Sequence, residues 1–212
     1  MDIKTIQTKL DEGRQYRNID VSGFNRSAEK RVEGYATTYN QPYELWSEDN
    51  YTVREQIDPR AFDETDLSDV IMQYNHEGRV FARTSNGTLQ LTSDEHGLRV
   101  NADLSGTELG RQVFEEIEGG YTTKMSFGFR VGEDKREITE DHETGKVDVL
   151  RTITKIDKLY DVSAVSLPAN DATSISARNF SEGVIAEIKE EFLAREKRER
   201  QKQRIRILTE VL

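Results

Sequence analysis

The stretch 121-YTTKMSFGFRV-131 decides how the chain is read. Met125, Phe127, Phe129 and Val131 alternate with Lys124, Ser126, Gly128 and Arg130, and a period of two is that of a strand with one face toward a core. That face is large and apolar. The other offers a serine and a glycine between two cations, so a firmly anchored strand presents a small hydroxyl with no bulk beside it. Two explanations stay open: a small residue where a neighbouring element packs closely, or a nucleophile that needs a base within hydrogen-bond reach. No G-x-S-x-G occurs, so the nucleophile elbow of α/β-hydrolases is not present.

Working outward, a helix precedes this strand. Ser105 and Glu108 have the spacing of a capping box, Leu109, Val113 and Ile117 recur every four residues, and Gly119-Gly120 ends the run. Before it, Leu89–Thr92 and Leu98–Leu104 flank SDEHG, the composition of a hairpin turn. Val32–Thr38, Val70–Tyr74 and Val80–Arg83 read as strands, and Asp58-Pro59 is a helix start opening a short helix around Ala61-Phe62. After it, GEDKREITEDHETGKVD reads as a long exposed hairpin excursion. Val149–Ile156 and Leu159–Leu167 are further strands, the last stopped by Pro168. The fold class is therefore mainly β with flanking helices (α+β). Three segments are expected: a polar, loosely attached N-terminal arm over 1–30, a compact domain over 31–180, and a charged helical extension over 181–212. In the extension, Val184, Ile185, Ile188 and Phe192 at helical spacing lead into REKRERQKQRIR.

Composition narrows the function. Of 212 residues 34% are hydrophobic and 33% charged, a balance that puts some segments outside a core. The net charge of −10 argues against a general nucleic-acid binder. Between Arg195 and Arg206, however, seven Lys/Arg stand against two Glu, marking an appendage or a partner-binding element. The absence of cysteine excludes disulfides, thiol nucleophiles and thiolate metal sites. The first residues hold no apolar signal-peptide core, and no run approaches a membrane span, so no membrane partner is expected and the chain is placed in a cytoplasm.

Only three histidines could serve as a general base. His96 and His142 lie in polar turns, SDEHG and EDHETG, where a polar ring is ordinary. His76 ends the run VIMQYNH, sharing the side of Val70, Met72 and Tyr74 by alternation. At the edge of an apolar surface it is either a hydrogen-bonded structural ring or a desolvated, oriented base. Asp161, within LYDVSAVSLPAN, interrupts an apolar strand, which is costly unless it is paired. It could accept hydrogen bonds from an Arg or Tyr, or take the ring N–H of a histidine. No H-E-x-x-H, phosphate-binding glycine motif or dinucleotide fingerprint is found, and the acids over 141–148 lack calcium-loop spacing, so neither metal nor cofactor is expected.

Four stretches in order, GYATTYN with the later IDPRAF, VIMQYNHEGR, KMSFGFRV and LYDVSAVSLPAN, carry a resemblance over about residues 31–178. The chain resembles the prohead (capsid maturation) proteases of tailed bacteriophages. The resemblance implies a serine endopeptidase built on a small closed β-barrel similar to herpesvirus assemblin. Its N-H motif falls on His76 and its K-x-S-F-G motif on Ser126. Its E-V-S motif reads D-V-S here and falls on Asp161, one methylene shorter. The implied partners are the major capsid protein and its scaffolding segment, cleaved inside the prohead in the host cytoplasm, with self-cleavage and a possible homo-oligomer. On this reading Gly128 leaves room for a substrate backbone, and N–H groups near Ala169-Asn170 supply one donor to the oxyanion. The competing readings are a non-catalytic structural or scaffolding virion protein with the same barrel, and a hydrolase of small esters.

Overall fold

The computed structural model of the protein describes residues 14–19, 25–26, 30–48, 50–141 and 143–165, with helical residues 185–191, 193–194, 197–198 and 201. The strands in chain order are β1 (Gln15–Ile19), β2 (Asn25–Arg26), β3 (Arg31–Thr38), β4 (Tyr43–Glu48), β5 (Tyr51–Ile57), β6 (Ile71–Tyr74) and β7 (Glu77–Arg83). After them come β8 (Leu89–Ser93), β9 (Gly97–Asp103), helix α1 (Glu108–Glu118), β10 (Lys124–Asp141) and β11 (Lys146–Val165). The mainly β class with flanking helices is what forms.

Two sheets carry the molecule. One is ordered β1-β10-β11-β5-β4, with β6 also pairing β11 and β7 pairing β6; the other is β2-β3-β9-β8. β11 runs parallel to β5 along its first half, Val147 to Ile153, and parallel to β6 along Asp161 to Ala164. Its free edge is thus shared between two successive strands. Among the described residues neither sheet closes on itself, so these pairings do not form the closed barrel that the resemblance implies.

The alternation of the 121–131 stretch holds. Met125, Phe127 and Phe129 are fully buried in one core with Met72, Leu98, Val100, Val113, Phe114, Ile156 and Val162, which joins both sheets to α1. Burying each large side chain is worth roughly 1.5–3 kcal/mol, so β10 is fixed from its core side. Helix α1 lies where the periodicity puts it, but its cap is Thr107, whose side chain accepts from Gly110 N at 2.9 Å. Ser105 is instead engaged by Asp103, which accepts from its N and its hydroxyl.

Other expectations are corrected. Asp58 accepts from Arg60 N at 2.9 Å as a helix start would, yet the chain continues in turns, with Ala61 and Phe62 sunk into the core. The excursion 132–148 is a hairpin, but not a free one. Val147 and Val149 pack with Leu45 and Val53 in a second core, closed by Ile185 and Ile188 from the helical residues 185–191. β10 and β11 are each continuous, with bulges absorbing the irregularities.

Within the polar arm, Gln15–Ile19 is not loose. It adds to β10 in antiparallel register, with Asn18 opposite Ser126 and Tyr16 opposite Gly128. Arg17 anchors it by donating to both oxygens of the fully buried Glu55, at 2.5 and 3.0 Å. Glu55 also accepts from Arg151 at 3.0 Å and from the Tyr43 hydroxyl at 2.6 Å. Burial alone would raise the Glu55 carboxyl, but Arg17 and Arg151 outweigh it and hold the group below its ordinary range.

Candidate active site

Register places the site on the outer face of the larger sheet. Ser126 lies opposite Ser163 of β11, and Gly128 opposite Asp161. Alternation therefore sends Ser126, Ser163 and Asp161 away from the core that receives Phe127 and Val162. Between Gly128 and Phe129 the pairing skips Tyr160, a bulge beside the site.

His76 reaches this face by a turn, not by the alternation of its strand. Met72 is buried in the core, and continued alternation would send residue 76 the same way. Instead Asn75 and His76 form the two-residue loop between the paired Tyr74 and Glu77, with φ of 50° and 61°. A tight hairpin needs positive φ at both loop positions, and glycine is favoured at the second. Holding a histidine there costs on the order of 1 kcal/mol. Asn75 N donates to Ala164 O at 3.0 Å, pinning the loop over β11.

The three residues singled out in the sequence meet here. His76 Nε2 is 2.6 Å from Ser126 Oγ, and His76 Nδ1 is 2.5 Å from Asp161 Oδ2. A carboxylate only accepts, so the ring proton lies on Nδ1, and Nε2 is left to accept from the serine hydroxyl. Ser163 Oγ donates to the same Asp161 oxygen at 2.8 Å. The shorter D-V-S acid therefore reaches the ring. Ser126 is fully buried, and its hydroxyl also lies 2.9 Å from the Arg17 carbonyl oxygen, to which it can donate. Burial, and then the charge of Arg14, hold His76 down at about 4 from an ordinary 6.5. The ring is thus neutral, the form a base requires.

Gly128 does not open onto free space. A Cβ there would lie 2.5 Å from Asp161 Oδ1, 2.8 Å from Tyr16 and 2.9 Å from Arg14 Nε. The room is taken by the protein itself, not left for a substrate backbone. Of the other two histidines, His96 packs its ring edge-on against Tyr35, centroids 4.6 Å apart, away from the site; His142 lies outside the described residues. So do Ala169-Asn170. Among the described residues no three His, Asp or Glu side chains group as metal ligands, and no helix is long and apolar enough to cross a membrane.

Sequence reasoning missed Ser163, Tyr16 and Arg14. Ser163 was legible, two residues beyond Asp161 on one strand face. The other two come from β1 and the residue before it, brought in by pairing across more than a hundred positions.

A family model described as caudovirus prohead serine protease matches residues 17–187. The chain belongs to that family. No curated protein matches it. Among solved structures, the bacteriophage T4 capsid assembly protease aligns at 11% identity and a TM-score of 0.38, covering 73% of this chain and 99% of that one. The His76, Ser126 and Asp161 cluster lies within the matched region of this prohead protease family member.

Proposed function

We propose that the protein is a serine endopeptidase in which Ser126 is the nucleophile, His76 the general base and Asp161 the group that orients His76. One observation carries this reading: a single imidazole lies 2.6 Å from a serine hydroxyl and 2.5 Å from a buried carboxylate through its two nitrogens. Ser126 Oγ attacks the scissile carbonyl carbon as its proton passes to Nε2. The tetrahedral adduct collapses, and Nε2–H protonates the leaving amine. Water then loses a proton to Nε2, attacks the acyl ester and releases Ser126. Asp161 holds the Nδ1–H tautomer and stabilises the transient imidazolium. One donor for the oxyanion, worth about 3 kcal/mol, is proposed from the backbone N–H groups near Ala169-Asn170, which lie outside the described residues.

Family membership supports the substrate: the major capsid protein's scaffolding segment, cut within the prohead, together with the chain itself. One observation favours the non-catalytic alternative. Ser126 is fully buried, and its single proton has the Arg17 carbonyl oxygen at 2.9 Å as an alternative acceptor to Nε2, as a structural serine would. The experiment compares wild type with Ser126→Ala, each co-expressed with the capsid protein, by intact mass, alongside phosphonofluoridate labelling mapped by peptide mass. Cleavage and a label on residue 126 in wild type only are expected. Identical masses and no label would sink the peptidase reading.

A further inference from the structure

Resting on that reading, we propose that Arg14 is a positioning residue of the same site: its guanidinium clamps the outer oxygen of Asp161, fixing the carboxylate and keeping the Asp161–His76 pair free of an extra proton. The argument begins with Asp161, which is fully buried and uses Oδ2 for His76 and Ser163. Its other oxygen, Oδ1, forms an ion pair with Arg14. A lone buried carboxylate would be driven toward protonation. An acid in that state would no longer define which nitrogen of His76 carries the proton.

Arg14 is built in, not merely nearby. Its guanidinium lies over Tyr16 of β1 at 5.1 Å and over Tyr160, the bulged residue of β11, at 4.8 Å. Tyr16 in turn meets the His76 ring edge-on, with centroids 4.3 Å apart and planes at 60°. One tyrosine therefore touches both the clamp and the base. Gly128 admits the arrangement, since a methyl there would collide with Arg14, Tyr16 and Asp161 Oδ1 at once. Arginine suits the position because a planar guanidinium can stack between two rings while facing a carboxylate edge. Arg14 also precedes the matched family region, which begins at residue 17.

The groups facing His76 are Arg14 and Tyr16 from the β1 side, Ser126 from β10, and Asp161 from β11, with Tyr160 beyond Arg14; Glu77 follows in the chain. Of these, only Arg14 brings a positive charge. Asp161 alone would draw a proton onto the imidazole, and the guanidinium opposes this. Burial acts in the same direction as the guanidinium, so removing Arg14 restores only part of the ordinary basicity.

The test uses full-length protein carrying Arg14→Gln, Arg14→Lys or Gly128→Ala, which crowds the clamp without removing its charge. Two readouts are taken: the His76 titration by NMR, identified by its loss in His76→Gln, and the pH profile of kcat/KM on the co-expressed capsid protein or a peptide from it. Circular dichroism checks that each variant is folded. Arg14→Gln is expected to raise the His76 midpoint by about one unit or more, giving about a tenfold loss of rate on the acid limb. Arg14→Lys should return the midpoint toward wild type while leaving kcat depressed, because the charge is kept and the stacked geometry is not. Gly128→Ala should resemble Arg14→Lys, with the charge kept and the clamp geometry disturbed. A folded Arg14→Gln protein with an unmoved His76 midpoint and a rate within twofold of wild type would overturn the proposal. If wild type cleaves nothing, the peptidase reading fails by itself, and the titration still decides whether Arg14 holds the dyad.

Discussion

Glu55→Gln isolates the ion network that ties β1 to the fold. In the native protein two buried cations, Arg17 and Arg151, are neutralised by Glu55 and by Asp134, which accepts from Arg151 Nε. Glutamine keeps the shape and one acceptor for the Tyr43 hydroxyl, but it removes the only carboxylate that Arg17 pairs with among the described residues. Among the described residues Arg17 then has no carboxylate partner, in a site where Arg17 and Arg151 have 3% and 0% exposure. Breaking a buried pair from one side costs about 3–5 kcal/mol, because the partner charge loses compensation while staying desolvated. With a urea dependence of about 2 kcal/mol per molar, the unfolding midpoint should fall by about 2 M. The assay is equilibrium urea unfolding followed by circular dichroism. A triple replacement, Arg17→Met with Glu55→Leu and Arg151→Met, should recover most of this loss, since an apolar set of similar volume escapes the desolvation cost. Asp134 remains 21% exposed and can turn to water. A Glu55→Gln midpoint within about 0.5 M of wild type would refute the reasoning, because the two guanidinium groups would then be less desolvated than their burial indicates.

Further outcomes follow from the same geometry. Asp161→Asn should lower kcat/KM by about 10²–10⁴-fold, because an amide donating to Nδ1 would reverse the tautomer and turn Nε2 into a donor; unchanged kinetics would show that the acid does not orient the base. Phe127→Ala, in the core beneath the serine, should cost about 3–5 kcal/mol in urea unfolding; a loss under 1 kcal/mol would mean the cavity collapses freely. Stability should fall steadily on acidification. His76 sits near 4 when folded and near 6.5 when unfolded, so between these values the unfolded chain binds a proton that the native chain does not. That difference contributes on the order of 3 kcal/mol, present at neutral pH and lost toward pH 4. Glu55, held below its usual range, adds a contribution that is lost as pH falls through its lowered folded value. Urea midpoints across this range should flatten above about pH 4.5 in His76→Gln; an unchanged slope would assign the acid sensitivity elsewhere.

Much of the fold could be read from local pattern, because burial imposes its period directly on the residues. The 121–131 alternation gave β10 and its core face, the four-residue repeat gave α1, and SDEHG gave the β8–β9 hairpin. Strands β4 and β5 escaped notice because their partners are remote or mutual: β5 pairs along β11, and β4 pairs with β5. The Asp58-Pro59 signal was locally correct, since its first hydrogen bond forms. Packing of Ala61 and Phe62 into the core then prevailed over helix propagation, which is unfavourable for so short a segment.

By itself the sequence determined which residue types could do the chemistry: a strand-borne serine, one histidine among three beside an apolar run, and an acid in an apolar strand, with family motifs attached to all three. Tertiary structure decided that they meet. Two left-handed residues swing His76 to the face opposite the one its strand alternation predicts. Antiparallel pairing brings Tyr16 and Arg14 to Asp161 from 145 and more positions away. Alternation and helical repeat are written within a few neighbouring residues. Which strand lies beside which depends on the whole chain's burial and hydrogen bonding, and no local stretch records it.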